Sequence, residues 1–109
     1  MLQEQEIARF GATELVRRPG SIIDTAMREG FVAITRRHRV VAVMLRDATE
    51  LPPTLELQPL PASDMVKNVQ NVLDQTEANT GAFEITRKGR TVAYLLPRMY
   101  FEELGQNSE

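Results

Sequence analysis

Apolar positions along this chain recur with two periods, helical and then alternating, and the switch between them happens twice. In the first half Leu15, Pro19, Ile22, Ile23, Ala26 and Met27 follow helical spacing; in the second, Met65, Val69, Val72, Leu73 and Thr76 do the same. Each set makes one apolar stripe, the mark of a helix with one buried face. Thr13 with Glu14, and Ser63 with Asp64, read as an N-cap residue followed by an acid in the first turn. Pro19-Gly20-Ser21 interrupts the first stripe, since proline lacks the amide donor and clashes with the preceding turn. The pattern therefore predicts a short helix ending near Arg18 and a second starting near Pro19, with Ser21 and Asp24 as an alternative start. A short extended piece precedes each stripe, Ile7–Phe10 and Leu55–Leu60. A β-hairpin follows: Ala82–Arg87 and Arg90–Leu96 flank Lys88-Gly89, where glycine accepts the positive φ of a tight turn. Arg37-His38 stands at the corresponding turn of the first half, a harder fit that predicts a looser hairpin.

The letters repeat as well as the pattern. Ala12-Thr13-Glu14-Leu15-Val16-Arg17 returns as Ala62-Ser63-Asp64-Met65-Val66-Lys67, and Asp24 returns as Asp74. After one inserted residue near Gly30/Gly81, Ile34-Thr35-Arg36-Arg37 returns as Ile85-Thr86-Arg87-Lys88, and Arg39, Val41, Ala42 and Leu45 as Arg90, Val92, Ala93 and Leu96. Three blocks in the same order point to a tandem duplication. Between them Asp47–Thr54 mixes turn formers with Pro52 and Pro53, and reads as a connector. The expected organisation is a first repeat over residues 1–47, a linker over 48–56 and a second repeat over 57–109.

One strand sets a packing problem. Val40-Val41-Ala42-Val43-Met44-Leu45 is apolar on both of its alternating faces, as strands covered on two sides are. A unit of about fifty residues cannot cover both faces alone. The expected fold is α+β: two tandem units, each a short strand, two helices and a hairpin, packed as an intrachain pseudo-dimer around a shared antiparallel sheet.

The order of helix, broken helix and Ile-Thr-Arg-Arg hairpin resembles the Phd/YefM antitoxin family, most closely in the second repeat. There Ala62–Val69 is similar to the family's opening helix, Val72-Leu73-Asp74 to its second, and Ile85-Thr86-Arg87-Lys88-Gly89-Arg90-Thr91-Val92-Ala93 to its signature hairpin. Pro97–Leu104 resembles the short helix that follows, which the first repeat lacks. The resemblance implies a DNA-binding body, homodimeric in the family and here doubled within one chain, and a C-terminal tail that neutralises a toxin. In two respects the chain departs from the family. Val16 and Val66 stand where the family often has an arginine, and Gly105–Glu109 is too short to wrap a toxin.

Composition and charge narrow the chemistry. No run of about 18 apolar residues exists, which argues against a membrane span. The polar, acidic opening Met1–Glu6 lacks the features of a signal peptide, and without cysteine there is no disulfide framework, so a cytoplasmic protein is expected. His38 is the only histidine, so neither a zinc site nor a nucleophilic one is expected; no glycine-rich phosphate loop occurs, and the chain reads as no enzyme and without a cofactor. The net charge of −2 does not advertise nucleic-acid binding, but the arginines are clustered. Arg17, Arg18, Lys67 and Asn68, near helix starts, suit phosphates or are simply solvated. Arg36, Arg37, Arg39, Arg87, Lys88 and Arg90 flank the hairpin turns, as DNA contacts or as charges that blunt sheet edges. Arg9 joins the candidate set from the first extended piece. The leading expectation is an antitoxin-like DNA-binding transcriptional regulator of a type II toxin–antitoxin system, with operator DNA and a toxin as partners and further homo-oligomerisation left open. The rivals are a protein-interaction module that has lost DNA binding and, because Ile85–Leu96 also loosely resembles the AbrB family, a swapped-hairpin regulator of that type, against which the helices before each hairpin count.

Overall fold

Both helical stripes fold as pairs of helices set at a break, and both alternating stretches fold as hairpins. The computed structural model describes residues 7–49 and 51–107; the opening Met1–Glu6 and the last two residues of the expected tail lie outside them. The elements are β1 (Arg9–Gly11), α1 (Ala12–Arg17), α2 (Pro19–Glu29), β2 (Phe31–Arg36), β3 (Arg39–Leu45), β4 (Gln58–Pro61), α3 (Ala62–Lys67), α4 (Val69–Glu77), β5 (Phe83–Arg87), β6 (Arg90–Pro97) and α5 (Met99–Asn107). The extended pieces thus sit a little later in the chain than predicted, and Gly105–Asn107 of the expected tail belong to α5.

The helix starts fall two residues before the sequence expectation. Thr13 and Ser63 lie inside the first turns, and the N-cap positions fall on Gly11 and Pro61. Neither of those residues has a side chain that can cap. In α1 the Glu14 carboxylate substitutes by accepting the Gly11 N–H at 3.1 Å. The break between helices occurs at Arg18 (φ −137°, ψ 58°) and again at Asn68 (φ −118°, ψ 29°). Proline follows only the first of these. In the second half the Asn68 side-chain amide donates to the Asp64 carbonyl at 3.1 Å, giving the backbone a local alternative to continuing the helix.

All six strands join one sheet in the order β1-β2-β3-β6-β5-β4, so the order reads the same inward from either edge. The central pair, β3 and β6, is antiparallel and in register at Val43↔Leu96, Met44↔Leu95 and Leu45↔Tyr94. The sheet is mixed, not wholly antiparallel as expected: β1 runs parallel to β2 and β4 parallel to β5. The reason is the connection. Each outer strand reaches its neighbour through two helices, and a helical crossover returns the chain to lie parallel. On the β4 edge, Pro59 and Pro61 offer no amide for further pairing.

The two hairpins have the same form. Arg36↔Arg39 and Arg87↔Arg90 close two-residue turns, and each ladder slips by one residue just beyond, at Ile34/Thr35 and Ile85/Thr86. Both turn residues have positive φ in each case: Arg37 56° and His38 67°, Lys88 51° and Gly89 79°. That combination belongs to the type I′ turn, whose twist matches the strands. The first hairpin is therefore not the looser one. It meets the same geometry by holding Arg37 and His38 in left-handed backbone, at a cost of about 1 kcal/mol each.

The core has two layers. Leu15, Ile22, Ile23 and Ala26 from α1 and α2 meet Met65, Val69, Val72 and Leu73 from α3 and α4 over one face of the sheet, against Ala42, Met44, Ala93 and Leu95. Burying each larger aliphatic side chain there contributes about 1.5–3 kcal/mol. The opposite face carries Val43, Leu45 and Leu96, and its cover differs from the expected one. Leu51, Leu55 and Leu57 from the joining segment, with Tyr100 and Phe101 from α5, close it. Leu51, Leu55 and Leu57 of the connector thus pack against the core, and α5 with this loop, not the helix pair α3 and α4, covers β3 on that side.

Replacing His38 with glycine is expected to stabilise the fold by about 0.5–1 kcal/mol, because the left-handed strain goes. Thermal unfolding should then rise by roughly 2–5 °C, and an unchanged or lower midpoint would show the turn to be unstrained. Leu55→Ser with Leu57→Ser should cost about 2 kcal/mol by urea unfolding if these half-buried side chains seal the second face.

Candidate nucleic-acid interface

The antiparallel central pair sends the two hairpin turns to opposite ends of the sheet. Arg39 opens β3 and Arg90 opens β6, and the register between them leaves about ten residues of extended chain from one to the other. At about 3.3 Å per residue that is roughly 33 Å, comparable with the molecule's longest extent of 35 Å. Arg37, His38 and Arg39 are exposed at one end; Arg87, Lys88 and Arg90 are exposed at the other. Short turns with charged neighbours make these ends compact clusters of cations on the rigid sheet.

Arg36 and Arg87, at matching positions of the repeat, have different surroundings. The Arg36 side chain crosses to α4, where its guanidinium donates to Gln70 Oε1 at 3.0 Å and pairs with Asp74 at 2.8 Å and Glu77 at 2.5 Å. Only 18% of the Arg36 side chain is exposed. The hydrogen bond from Arg36 is the main influence holding the Glu77 carboxyl below its usual range; burial opposes it, and the charges of Arg36, Arg39 and Arg98 add to it. The same bond to Glu77 raises Arg36, against desolvation and with help from Asp74. Arg87 instead lies over Gly20 of α2, so close that a Cβ on Gly20 would come within 2.8 Å of its Nη2. There Gly20 replaces Gln70 and Met27 replaces Glu77, and among the described residues Arg87 has no ion pair.

The helix-end candidates are distributed differently from the hairpin ones. Arg17 and Lys67 are the last residues of α1 and α3, while Arg18 and Asn68 occupy the breaks before α2 and α4. All four are exposed, but Arg18 is paired with Glu14 at 3.3 Å and Asn68 is turned back to Asp64. Glu14, Asp24, Glu29, Asp64, Asp74 and Glu77 share the helix layer with them, so this layer is net acidic. Arg9, on edge strand β1, stacks over the Phe101 ring at 5.5 Å.

Two clefts adjoin the first hairpin. One of about 240 Å³ is lined by Arg36, Arg37, Arg39, Gln70, Asp74 and Glu77. The other, of about 450 Å³, opens between that hairpin, Thr13 at the start of α1, and Gln70. Arg36 lines both, and its ion-pair partners Asp74 and Glu77 line the first. Among the described residues no cluster of histidines and carboxylates could hold a metal ion, and no helix is long and apolar enough to cross a membrane. Sequence reading chose the hairpin arginines but missed Gln70 and Glu77 as partners of Arg36. The available signal was the place where the two stripes diverge, Gly20 against Gln70 and Met27 against Glu77.

No protein-family model, curated protein or solved structure matches this chain.

The depressed Glu77 carboxyl has a pH consequence. Its contribution is fully present above the ordinary glutamate range and is lost as pH falls through its lower folded value. Thermal midpoints measured from pH 6 down to pH 2 should therefore fall less steeply in Glu77→Gln than in the parent. Parallel curves would mean that the Arg36–Glu77 pair does not couple folding to protonation.

Proposed function

We propose that this chain is a DNA-binding transcriptional regulator, built as two similar units that pack as a pseudo-dimer within one chain. Three features support the paired organisation: the sequence repeat, the sheet order that mirrors itself, and a central register in which Met44 faces its own repeat counterpart, Leu95. The observation that carries the DNA reading is the pair of exposed cationic hairpin ends roughly 33 Å apart, as extended chain measures it. A duplex repeats its grooves about every 34–36 Å, so two such ends suit phosphates one helical turn apart. Arg37, Arg39, Arg87, Lys88 and Arg90 are the proposed backbone contacts; the helix-end cations Arg17 and Lys67 belong to the net acidic helix layer and contribute less. Turn cations of this kind position a protein on DNA without reading bases. The antitoxin part of the reading rests on the resemblance to the Phd/YefM family in the Ile85–Ala93 hairpin and the helices before it, and a toxin is its second proposed partner.

A protein-interaction module is the competing reading, and one observation favours it. The helix layer between the two cationic ends is net acidic and exposes Val16 and Met27, a surface better suited to a protein than to a duplex.

Binding to a duplex from the DNA upstream of its own coding sequence, measured across a salt series, separates the two. Regulator behaviour is a linear fall of log affinity with log salt, with a slope near −4 for about four to five phosphate contacts. Lys88→Ala with Arg90→Ala should flatten that slope by about two. Absence of binding at low salt would reject the regulator in favour of the interaction module.

A further inference from the structure

The two cationic ends differ in how much of their charge is free. At the β2–β3 end, Arg36 is mostly covered and held by Gln70, Asp74 and Glu77 of α4. A phosphate approaching there must displace a carboxylate from a guanidinium already bound on two sides, and it meets two negative charges within reach of the same group. At the β5–β6 end, Arg87 lies exposed over α2, where the matching residues are Gly20 and Met27. Asp24 does match Asp74, but it makes no ion pair with Arg87. A free guanidinium gives a phosphate two aligned donors, whereas a paired one offers little net charge.

We infer that the protein grips DNA unequally, with Arg87 making the β5–β6 end the stronger phosphate-binding end and Asp74 with Glu77 holding the β2–β3 end back. The inference rests on the DNA-binding reading and adds a polarity to it. In a dimer of identical chains the two ends would be equivalent; within one chain the halves have diverged at the residues facing these arginines. A single chain of this kind recognises a site with one tightly held half and one loosely held half, and so sits on it in one orientation.

The test uses the same upstream duplex, with salt-dependent affinity and hydroxyl-radical footprints as readouts. Arg87→Ala should weaken binding roughly five- to tenfold and lower the salt slope by about 0.9, one phosphate contact. Arg36→Ala should weaken binding clearly less than Arg87→Ala, because it removes no phosphate contact and only leaves Asp74 and Glu77 unneutralised. If Arg36→Ala proves unstable, Asp74→Asn with Glu77→Met provides a second route, since it leaves Arg36 in place and reproduces the Met27 surroundings. This release variant should tighten binding several-fold, raise the slope by about 0.9, and extend protection on the weaker half. Equal losses from Arg36→Ala and Arg87→Ala, or no gain in the release variant, would overturn the asymmetry while leaving DNA binding intact. A parent protein that does not bind the duplex would instead overturn the DNA-binding reading itself.

Discussion

The pairing of β3 with β6 is the constraint on which the other features depend. Both strands are apolar on both faces over the paired stretch, so neither can lie at an edge or leave a face in water. Placing them side by side at the centre of the sheet puts β2 and β5 outside them, and β1 and β4 at the edges. The helices that link the outer strands must then stack on one face, where Leu15, Ile22 and Ile23 meet Met65, Val72 and Leu73 in a common layer. The other face remains open until Leu51, Leu55 and Leu57 cross it and α5 adds Tyr100 and Phe101. That last step breaks the likeness between the halves, because only the second hairpin is followed by a helix and only the first by a long connection.

The same pairing distributes charge. Antiparallel central strands carry their hairpins in opposite directions, so the arginine clusters end up as far apart as the molecule allows. It also brings each hairpin beside the second helix of the other half: Arg36 reaches α4, and Arg87 reaches α2. Those contacts cross between halves, and each half's arginine therefore depends on what the other half's helix presents. One helix presents Gln70, Asp74 and Glu77 and absorbs its arginine; the other presents Gly20 and Met27 and leaves its arginine free. The ion pairs of Arg36 are partly covered from solvent, which shields them from salt better than an exposed pair.

Much of this architecture was legible from single positions. The helical stripes, the break at Pro19, the two hairpins and the two-faced strand all follow from local periodicity, which needs no knowledge of neighbours. Other points were misread because they depend on contacts distant in sequence. Thr13 and Ser63 look like caps, but the chain leaves its edge strand at Gly11 and Pro61, so the helices start before them. Arg37-His38 looks like a poor turn, yet the strands beyond it pair so extensively that the backbone adopts the strained conformation regardless. Nothing local marks Asp74 and Glu77 as partners for Arg36, and only the approach of the other half's hairpin makes them so.

Sequence alone determined which segments are helical, which are extended, that the pattern occurs twice, and that Val40–Leu45 must be covered on both faces. Period and apolar content are properties of a segment, and burial acts on them wherever the segment goes. Tertiary structure alone decided that the edge pairs run parallel, that residues 51–57 seal the second face, and that one hairpin arginine is bound while its counterpart is free. These outcomes turn on which side chain of one half meets which helix of the other, and no local pattern records that meeting.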